Sequence, residues 1–228
     1  VVRILNANYR NAPAVTEVAN RLLRIKQARF GSIDRESHYL IKPVSDRPGR
    51  VAFLQDTDEI RRDLDRKTGR SARFAVIVLR EEDKDDARRA FHTPLVFSVR
   101  EAKGLEYENI IMPGFVSGQS RIFREIAEGV TAADLQTDYA YGRTRDKSDK
   151  SLDACKFFIN ALYVALTRAI ANVYVLERES DHPLLRLLNL PVDTGTGGLA
   201  EQASSDAEWR EEALRLERQG KGDQVEAI

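Results

Sequence analysis

The sequence predicts an α/β fold in three layers, a parallel sheet covered on both faces by helices, and two observations carry that expectation. Short β-rich apolar runs take turns with segments of helical period along most of the chain. The clearest run, Phe74–Leu79, is apolar almost throughout, which is the pattern of a strand buried on both faces rather than one. At 228 residues, one α/β domain plus an extra segment fits better than two full domains.

The elements follow in order. Val2–Leu5 opens as a β-rich strand, and Ala12–Ala28 is a helix because Val15, Val18, Ala19 and Leu22 share a face, with Asn11 as its expected N-cap. Val51–Leu54 is an apolar strand, and the helix from Asp56 to Arg66 begins with acids, which suit a helix's positive end. Phe74–Leu79 is the buried strand, and Lys84–Phe91 a charged surface helix. Leu95–Val99 and Asn109–Met112 are further strands, a less regular region follows, and a helix from about Asp153 to Thr167 precedes a last strand at Val173–Leu176.

Two stretches break the rhythm. Gln136–Ser151 carries Tyr139, Tyr141, Gly142, Arg143, Arg145, Lys147 and Lys150 without a period and is expected to be a loop. Leu190–Ser205, rich in Gly, Ser, Thr and Ala, is expected to be a mobile linker with no apolar face to bury. Beyond it, Asp206 is the expected cap of a helix that aligns Trp209, Ala213 and Leu216 and stops at Gly220. So short an amphipathic helix needs a partner for its apolar face, expected further downstream. The predicted organisation is a core domain over 1–190, a linker over 191–205 and the start of a helical region over 206–228.

Composition bounds the function. With 42% apolar and 32% charged residues the chain is an ordinary globular protein, not collagen-like, low-complexity or wholly disordered. No apolar run approaches the length of a membrane span, and Val1-Val2-Arg3-Ile4-Leu5 has no basic segment ahead of an apolar one, so it is not a secretory signal. The absence of an initiator Met suggests an excised piece. One cysteine, Cys155, excludes an internal disulfide framework, and His38, His92 and His182 have no zinc-ligand spacing. A reducing, cytoplasmic setting is the expectation. Residues 191–228 hold nine acids against four bases, a balance of −5 that leaves +5 for residues 1–190, too modest to mark a nucleic-acid surface by itself.

The chemistry starts from an absence. No G-x-x-x-x-G-K-[ST] occurs, since Gly220-Lys221 lacks both the first Gly and the Ser/Thr, so this chain cannot cradle a nucleotide's phosphates alone. Asp56-Thr57-Asp58-Glu59 imitates the acidic strand end of a nucleotide hydrolase but reads as the first turn of a helix.

Three segments rise above composition. Asn8-Tyr9-Arg10-Asn11 sets an aromatic ring beside a guanidinium at a strand-to-helix turn expected on a sheet's carboxyl edge, where the pair can stack on a base and reach a phosphate. Taken alone it reads rather as a capped helix start with a surface Tyr and Arg. Ala102-Lys103-Gly104-Leu105-Glu106 is a turn whose Gly104 permits a tight backbone, whose exposed amides can meet phosphate and whose carboxylate can accept from ribose hydroxyls. It is also readable as an ordinary turn with a surface ion pair. Tyr163–Ala169 ends an apolar helix with Arg168, placed either to complement the helix terminus or to reach into a shared active site.

Together these segments resemble motifs IV, V and VI of the second RecA-like core domain of superfamily 1 helicases of the UvrD type, over roughly residues 1–180. The resemblance implies a three-layer RecA-like domain of the P-loop NTPase type that lacks its own P-loop. It implies that Tyr9 stacks on adenine, that Arg10 and Arg168 are catalytic contacts to the γ-phosphate, and that Gly104 and Glu106 complete the ATP site at the ribose. It also implies that Ser98, Arg100 and Lys103 lie along a single-strand path or line the cleft. The sequence departs from the family where Arg100 replaces the usual His and where Phe157-Phe158-Ile159-Asn160 precedes motif VI. The interval between motifs IV and V is too short for the large inserted subdomain of some members, which points to a slimmer branch. The Trp-x3-Ala arrangement at Trp209 is similar to the opening of a helical-repeat region, which implies a protein partner through this segment.

The expected function is the C-terminal motor domain of an ATP-dependent helicase or translocase. Its ATP, with Mg²⁺ held mainly by a separate N-terminal RecA-like domain, is shared across a cleft, and single-stranded nucleic acid, DNA by this resemblance, binds weakly and without sequence preference. The chain alone is expected to lack ATPase activity. The alternatives are a non-catalytic interaction module and a nucleic-acid-dependent ATPase of the same fold that does not unwind.

Overall fold

Both faces of the central strands are apolar, so helices have to cover each of them. The computed structural model describes residues 7–31, 40–137 and 151–228. Its elements in chain order are β1 (Ala7–Asn8), α1 (Pro13–Phe30), β2 (Lys42–Pro43), β3 (Arg50–Gln55), α2 (Asp58–Thr68), β4 (Phe74–Val78), α3 (Lys84–Ala90), β5 (Val96–Ser98), β6 (Tyr107–Pro113), α4 (Ser120–Ala127), α5 (Ser151–Leu166), β7 (Ala169–Glu177), α6 (Pro183–Leu188), β8 (Val192–Asp193), α7 (Asp206–Arg218) and α8 (Gly222–Ala227). Strands β3 to β8 form one six-stranded sheet in the order β5-β4-β6-β7-β3-β8, with every pairing parallel. β1 and β2 make a separate parallel pair, Ala7 opposite Lys42.

The three-layer α/β expectation is met. On one face Phe53, Ile77, Met112 and Val175 pack under α1, α4, α5 and α6. On the other, Phe74, Val76, Ile111 and Tyr174 meet α2 and α3 through Leu64 and Ala87. Alternate residues of one strand thus serve two cores. Gly49, just before β3, is required by close approach: a Cβ there would stand 2.2 Å from the Ala171 carbonyl oxygen and 2.5 Å from Ala12 Cβ.

Several local expectations are corrected. Asn11 does not cap α1. The N-cap is Ala12, which makes no side-chain cap bond, and Pro13 opens the helix with its preset φ. α2 begins at Asp58 under Thr57, whose Oγ1 accepts from the Ile60 amide at 3.2 Å, while Asp56 lies outside the helix. β7 starts at Ala169 rather than Val173 because its early residues pair with β6 from Tyr107 onward. α4 and α6 were not expected at all. The expected strand Val2–Leu5, and the loop residues Tyr139, Tyr141, Gly142, Arg143, Arg145, Lys147 and Lys150, lie outside the described residues.

The C-terminal segment differs most. Residues 191–205 are packed as a strap, because their polar groups find partners on the domain. β8 adds to the edge of β3, Lys67 Nζ donates to the Thr196 carbonyl at 2.8 Å and to its hydroxyl at 2.9 Å, and Leu199 is buried. The amides of Gln202 and Ser204 donate to the carbonyls of Lys67 and Arg70, both at 2.9 Å. α7 is capped by Ser205 rather than Asp206, in a capping box with Glu208. Its apolar face has its partner within this domain: Leu216 is fully buried in the larger core, with Trp209 and Val225 packed against it. Among the described residues no helix is long and apolar enough to cross a membrane.

At the end of β7, Glu177 is completely buried, and its carboxylate accepts from the amides of Val116 (2.6 Å) and Ser117 (2.9 Å). Burial pushes its pKa up from the ordinary 4.5 to about 7; the Ser117 and Val116 bonds oppose the rise and nearby Asp56, itself paired with Arg61 and Arg178, adds to it. A carboxyl whose folded pKa is raised contributes stability fully present below about pH 4.5 and lost as pH rises through about 7. We expect Glu177→Gln to remove a fall in unfolding free energy on the order of 3 kcal/mol across that window. Denaturant midpoints of both proteins at the two ends of the window check this, since any fixed cost of the amide cancels in the difference.

Candidate functional site

The site assembles at the amino edge of β6 and β7. Their first residues, Tyr107 and Ala169, are opposite each other, so Glu106 and Arg168, each one residue earlier, emerge side by side. The turn after β1 reaches the same place. Asn8 Oδ1 accepts from the backbone amides of Arg10 (3.0 Å) and Asn11 (3.2 Å), closing the turn. Asn11 is 1% exposed, and its Nδ2 donates to the carbonyls of Thr167 at 3.1 Å and Ala169 at 2.5 Å, while the Ala12 amide donates to the Ile170 carbonyl at 2.7 Å. These bonds tie the turn at residues 8–12 to the start of β7. The expected carboxyl-edge position of the Tyr9–Arg10 pair is therefore corrected: the pair follows the end of β1 but stands at the opposite, amino edge of the main sheet.

Four of the expected residues are brought together there. Tyr9 is 69% exposed, so its ring is open to a ligand. Arg10 Nη1 donates to Glu106 Oε1 at 2.5 Å and its Nη2 to the Thr167 carbonyl at 3.3 Å. Arg168 is half-buried; its Nε donates to the Val164 carbonyl at 3.2 Å and its Nη1 to the Leu105 carbonyl at 3.3 Å. The first bond is the helix-end contact, and the second joins the end of α5 to the turn at residues 102–106. Burial, then the like charge of Arg10, lowers the Arg168 pKa, with Glu106 acting the other way. Two cations thus share one carboxylate. Tyr163 stands one turn back on α5, its pKa raised by burial and lowered by the charges of Arg10 and Arg168, so it belongs to the same cluster. Gly104 holds the turn with φ +88°, a left-handed conformation that disfavours a side chain.

The turn from β5 to β6 crosses from one sheet edge to the other, and it separates the remaining expected residues. Arg100 and Lys103 are exposed and have no ion-pair partner among the described residues. Ser98 does not join them. It is 2% exposed, and its amide and hydroxyl both donate to Glu101 Oε2, at 2.9 and 3.1 Å, so the residue anchors the turn and offers no surface to a nucleic acid. Glu101 in turn accepts from the buried Lys84 Nζ at 2.9 Å, and Lys84 also pairs with Glu81. Burial alone would raise the Glu101 pKa, but Lys84 and Ser98 hold it below the ordinary value.

Sequence reasoning gave Asn11 the role of a cap and not of a clamp, and gave Tyr163, Lys84 and Glu101 no role of their own. The Asn8-x-x-Asn11 spacing was the available signal for the first, and nothing local pointed to the Lys84–Glu101 pair, whose members are 17 positions apart. Among the described residues no three His, Cys, Asp or Glu side chains form a metal-binding group, and Glu106 is engaged by Arg10. The described residues therefore do not fit a resident Mg²⁺.

A concavity of about 890 Å³ lies at the other edge, beyond the ends of β3, β4 and β6. Its charges are largely paired within its walls or just behind them: Arg61 with Asp56, Arg89 with Asp86, His92 with Asp65, Arg124 with Glu179. The amino-edge cluster, with cations in excess, is the stronger candidate for an anionic ligand. Neither a protein-family model nor a curated protein matches this chain.

Removing Lys84 leaves Glu101 partly buried beneath the turn without its cation. Lys84→Ala is expected to cost about 3 to 5 kcal/mol of stability, while Lys84→Ala combined with Glu101→Gln recovers much of that loss. Denaturant unfolding of the two variants is the check, and equal losses in both would show that the pair is not what holds the turn.

Proposed function

We propose that this chain is the second core domain of an ATP-driven superfamily 1 motor on nucleic acid, contributing half of an ATP site. One observation carries the reading: an exposed ring, two guanidiniums and one carboxylate come from segments about 100 and 60 residues apart to a single sheet edge. Separate surface features would not converge in this way. In this reading Tyr9 stacks on the base, Glu106 accepts from the ribose, and Arg10 leaves Glu106 to meet phosphate alongside Arg168. A guanidinium suits the last role because its planar fork matches two phosphate oxygens at once.

The division of labour follows from chemistry. Phosphoryl transfer needs a phosphate cradle and a group that orients the attacking water, and no phosphate loop occurs in the 228 residues. Arg10 and Arg168 supply charge that counters the charge developing on the γ-phosphate. The cradle belongs to a first RecA-like domain, and the cleft between the two domains is where hydrolysis couples to movement. Arg100 and Lys103, on the turn that also bears Glu106, give that coupling a short path to a single strand.

Fused to a first core domain carrying the phosphate loop, Arg168→Ala is expected to lower kcat by about 10³ to 10⁵ with little change in KM. Tyr9→Ala should do the reverse, raising KM about tenfold at nearly constant kcat, because stacking is lost from ground and transition states alike. Unchanged ATP hydrolysis in Arg168→Ala would reduce that residue to a helix-end charge and remove the basis of the reading.

Nucleic-acid binding has its own signature. For a single-stranded oligonucleotide, Arg100→Ala and Lys103→Ala should each reduce the slope of log affinity against log salt by about 0.7, whereas Ser98→Ala should leave it unchanged. Fluorescence anisotropy over a salt series measures the slopes, and a response to Ser98→Ala alone would place the strand elsewhere.

A further inference from the structure

Helix α7 reaches the same sheet edge. Tyr107 begins β6, its ring buried beside Phe97 with centroids 5.7 Å apart, and its hydroxyl donates to Glu212 Oε1 on α7 at 2.6 Å. The same oxygen accepts from Arg215 Nη2 at 2.7 Å, and the Arg215 guanidinium carbon stands 4.6 Å from the Tyr107 ring centroid. The other arm of that guanidinium, Nη1, donates at 2.8 Å to the backbone carbonyl of Glu106, whose carboxylate holds Arg10. One side chain thus spans from α7 to the turn that carries the proposed ribose contact.

Only arginine can serve both acceptors, since its donors are fixed in one plane and point in two directions. The arrangement also exceeds what fastening a helix requires. Leu216 and Trp209 already give α7 an apolar contact with the core, whereas the polar cluster buries Glu212 and leaves Arg215 Nε buried without an acceptor. Its position matters because Glu106 follows Gly104, where the backbone has the most freedom, and a clamp on the Glu106 carbonyl removes that freedom at the residue that must meet the ligand.

We infer that Arg215 is a positioning residue for the nucleotide site, fixing Glu106 from α7, so that nucleotide binding and docking of α7 strengthen each other. The inference rests on the ATP reading above. Linkage is reciprocal: whatever factor Arg215 adds to nucleotide affinity, bound nucleotide returns to the docking of α7. The chain's one tryptophan, Trp209, sits half-buried on that helix and reports on it.

The experiment uses the 228-residue chain and ATP at millimolar concentration, with binding measured by equilibrium dialysis and Trp209 accessibility by acrylamide quenching. In the unaltered chain ATP should bind weakly and protect Trp209 over the same concentration range. Arg215→Lys keeps a charge beside Glu212 but has no fork to reach both acceptors, and is expected to weaken ATP binding about fivefold. The double change Arg215→Leu with Glu212→Gln strands neither charge; it should weaken ATP by a similar factor and abolish the Trp209 response. Arg73→Ala cuts another tether of α7, the 3.0 Å bond to Glu208, without touching Glu106, and should leave ATP affinity unchanged. Unaltered ATP affinity in both Arg215 variants overturns the inference, and so does an equal loss in Arg73→Ala, which would make Arg215 a tether only. Either result leaves ATP binding itself standing. No ATP binding to the unaltered chain overturns the inference and the ATP reading together.

Discussion

The candidate site depends on a single buried amide. Asn11 has its Nδ2 bonded to the carbonyls of Thr167 and Ala169, and its Oδ1 accepts from Asn8 Nδ2 at 2.8 Å, so both polar atoms of the side chain are bonded inside the protein. A buried amide that lost these bonds would be left without water or protein partners, which makes the arrangement all-or-none. The consequence is positional. Tyr9 and Arg10 belong to a short turn whose strand β1 is not part of the main sheet, and the Asn11 bonds, with the Ala12 amide, carry that turn to the edge where Glu106 and Arg168 emerge.

Charge is distributed with the same economy. Many exposed ions of the domain close on a neighbour, often three or four residues along a helix, as Arg66 does with Asp63 and Arg121 with Glu125. Such pairs add little to stability and cancel each other's field. At the amino edge the pattern fails, because Arg10 and Arg168 have one carboxylate between them and the pKa of the more buried cation is lowered by burial and then by its neighbour. An excess of like charge held by main-chain carbonyls is a local cost, and such costs collect where a ligand relieves them.

The C-terminal segment shows how composition can mislead. Gly, Ser, Thr and Ala without period describe a linker when each residue is considered by itself, yet residues 191–205 lie along α2 with their backbone groups paired. The partners Lys67 and Arg70 are 129 and 133 positions away from Thr196 and Ala203, and no local pattern reports them. α7 is similar: its apolar stripe was legible in Trp209 and Leu216, but the surface that covers it belongs to the domain before it.

What the sequence determined by itself was periodic and local. Continuous apolar runs such as Phe74–Leu79 required a sheet buried on both faces, helical spacing placed α1, α3 and α5, and the lack of a phosphate loop bounded the chemistry, because each depends only on near neighbours along the chain. The residue types of the site were legible too, in Tyr9, Arg10, Glu106 and Arg168. Tertiary structure alone decided which of them meet and at which edge. It withdrew Ser98 into a buried bond with Glu101, turned Asn11 from a cap into a clamp, and brought Arg215 to the Glu106 carbonyl. The physical reason is that hydrogen bonds and buried charges are satisfied in space, and the register of parallel strands, which places Tyr107 opposite Ala169, has no counterpart in the order of residues along the chain.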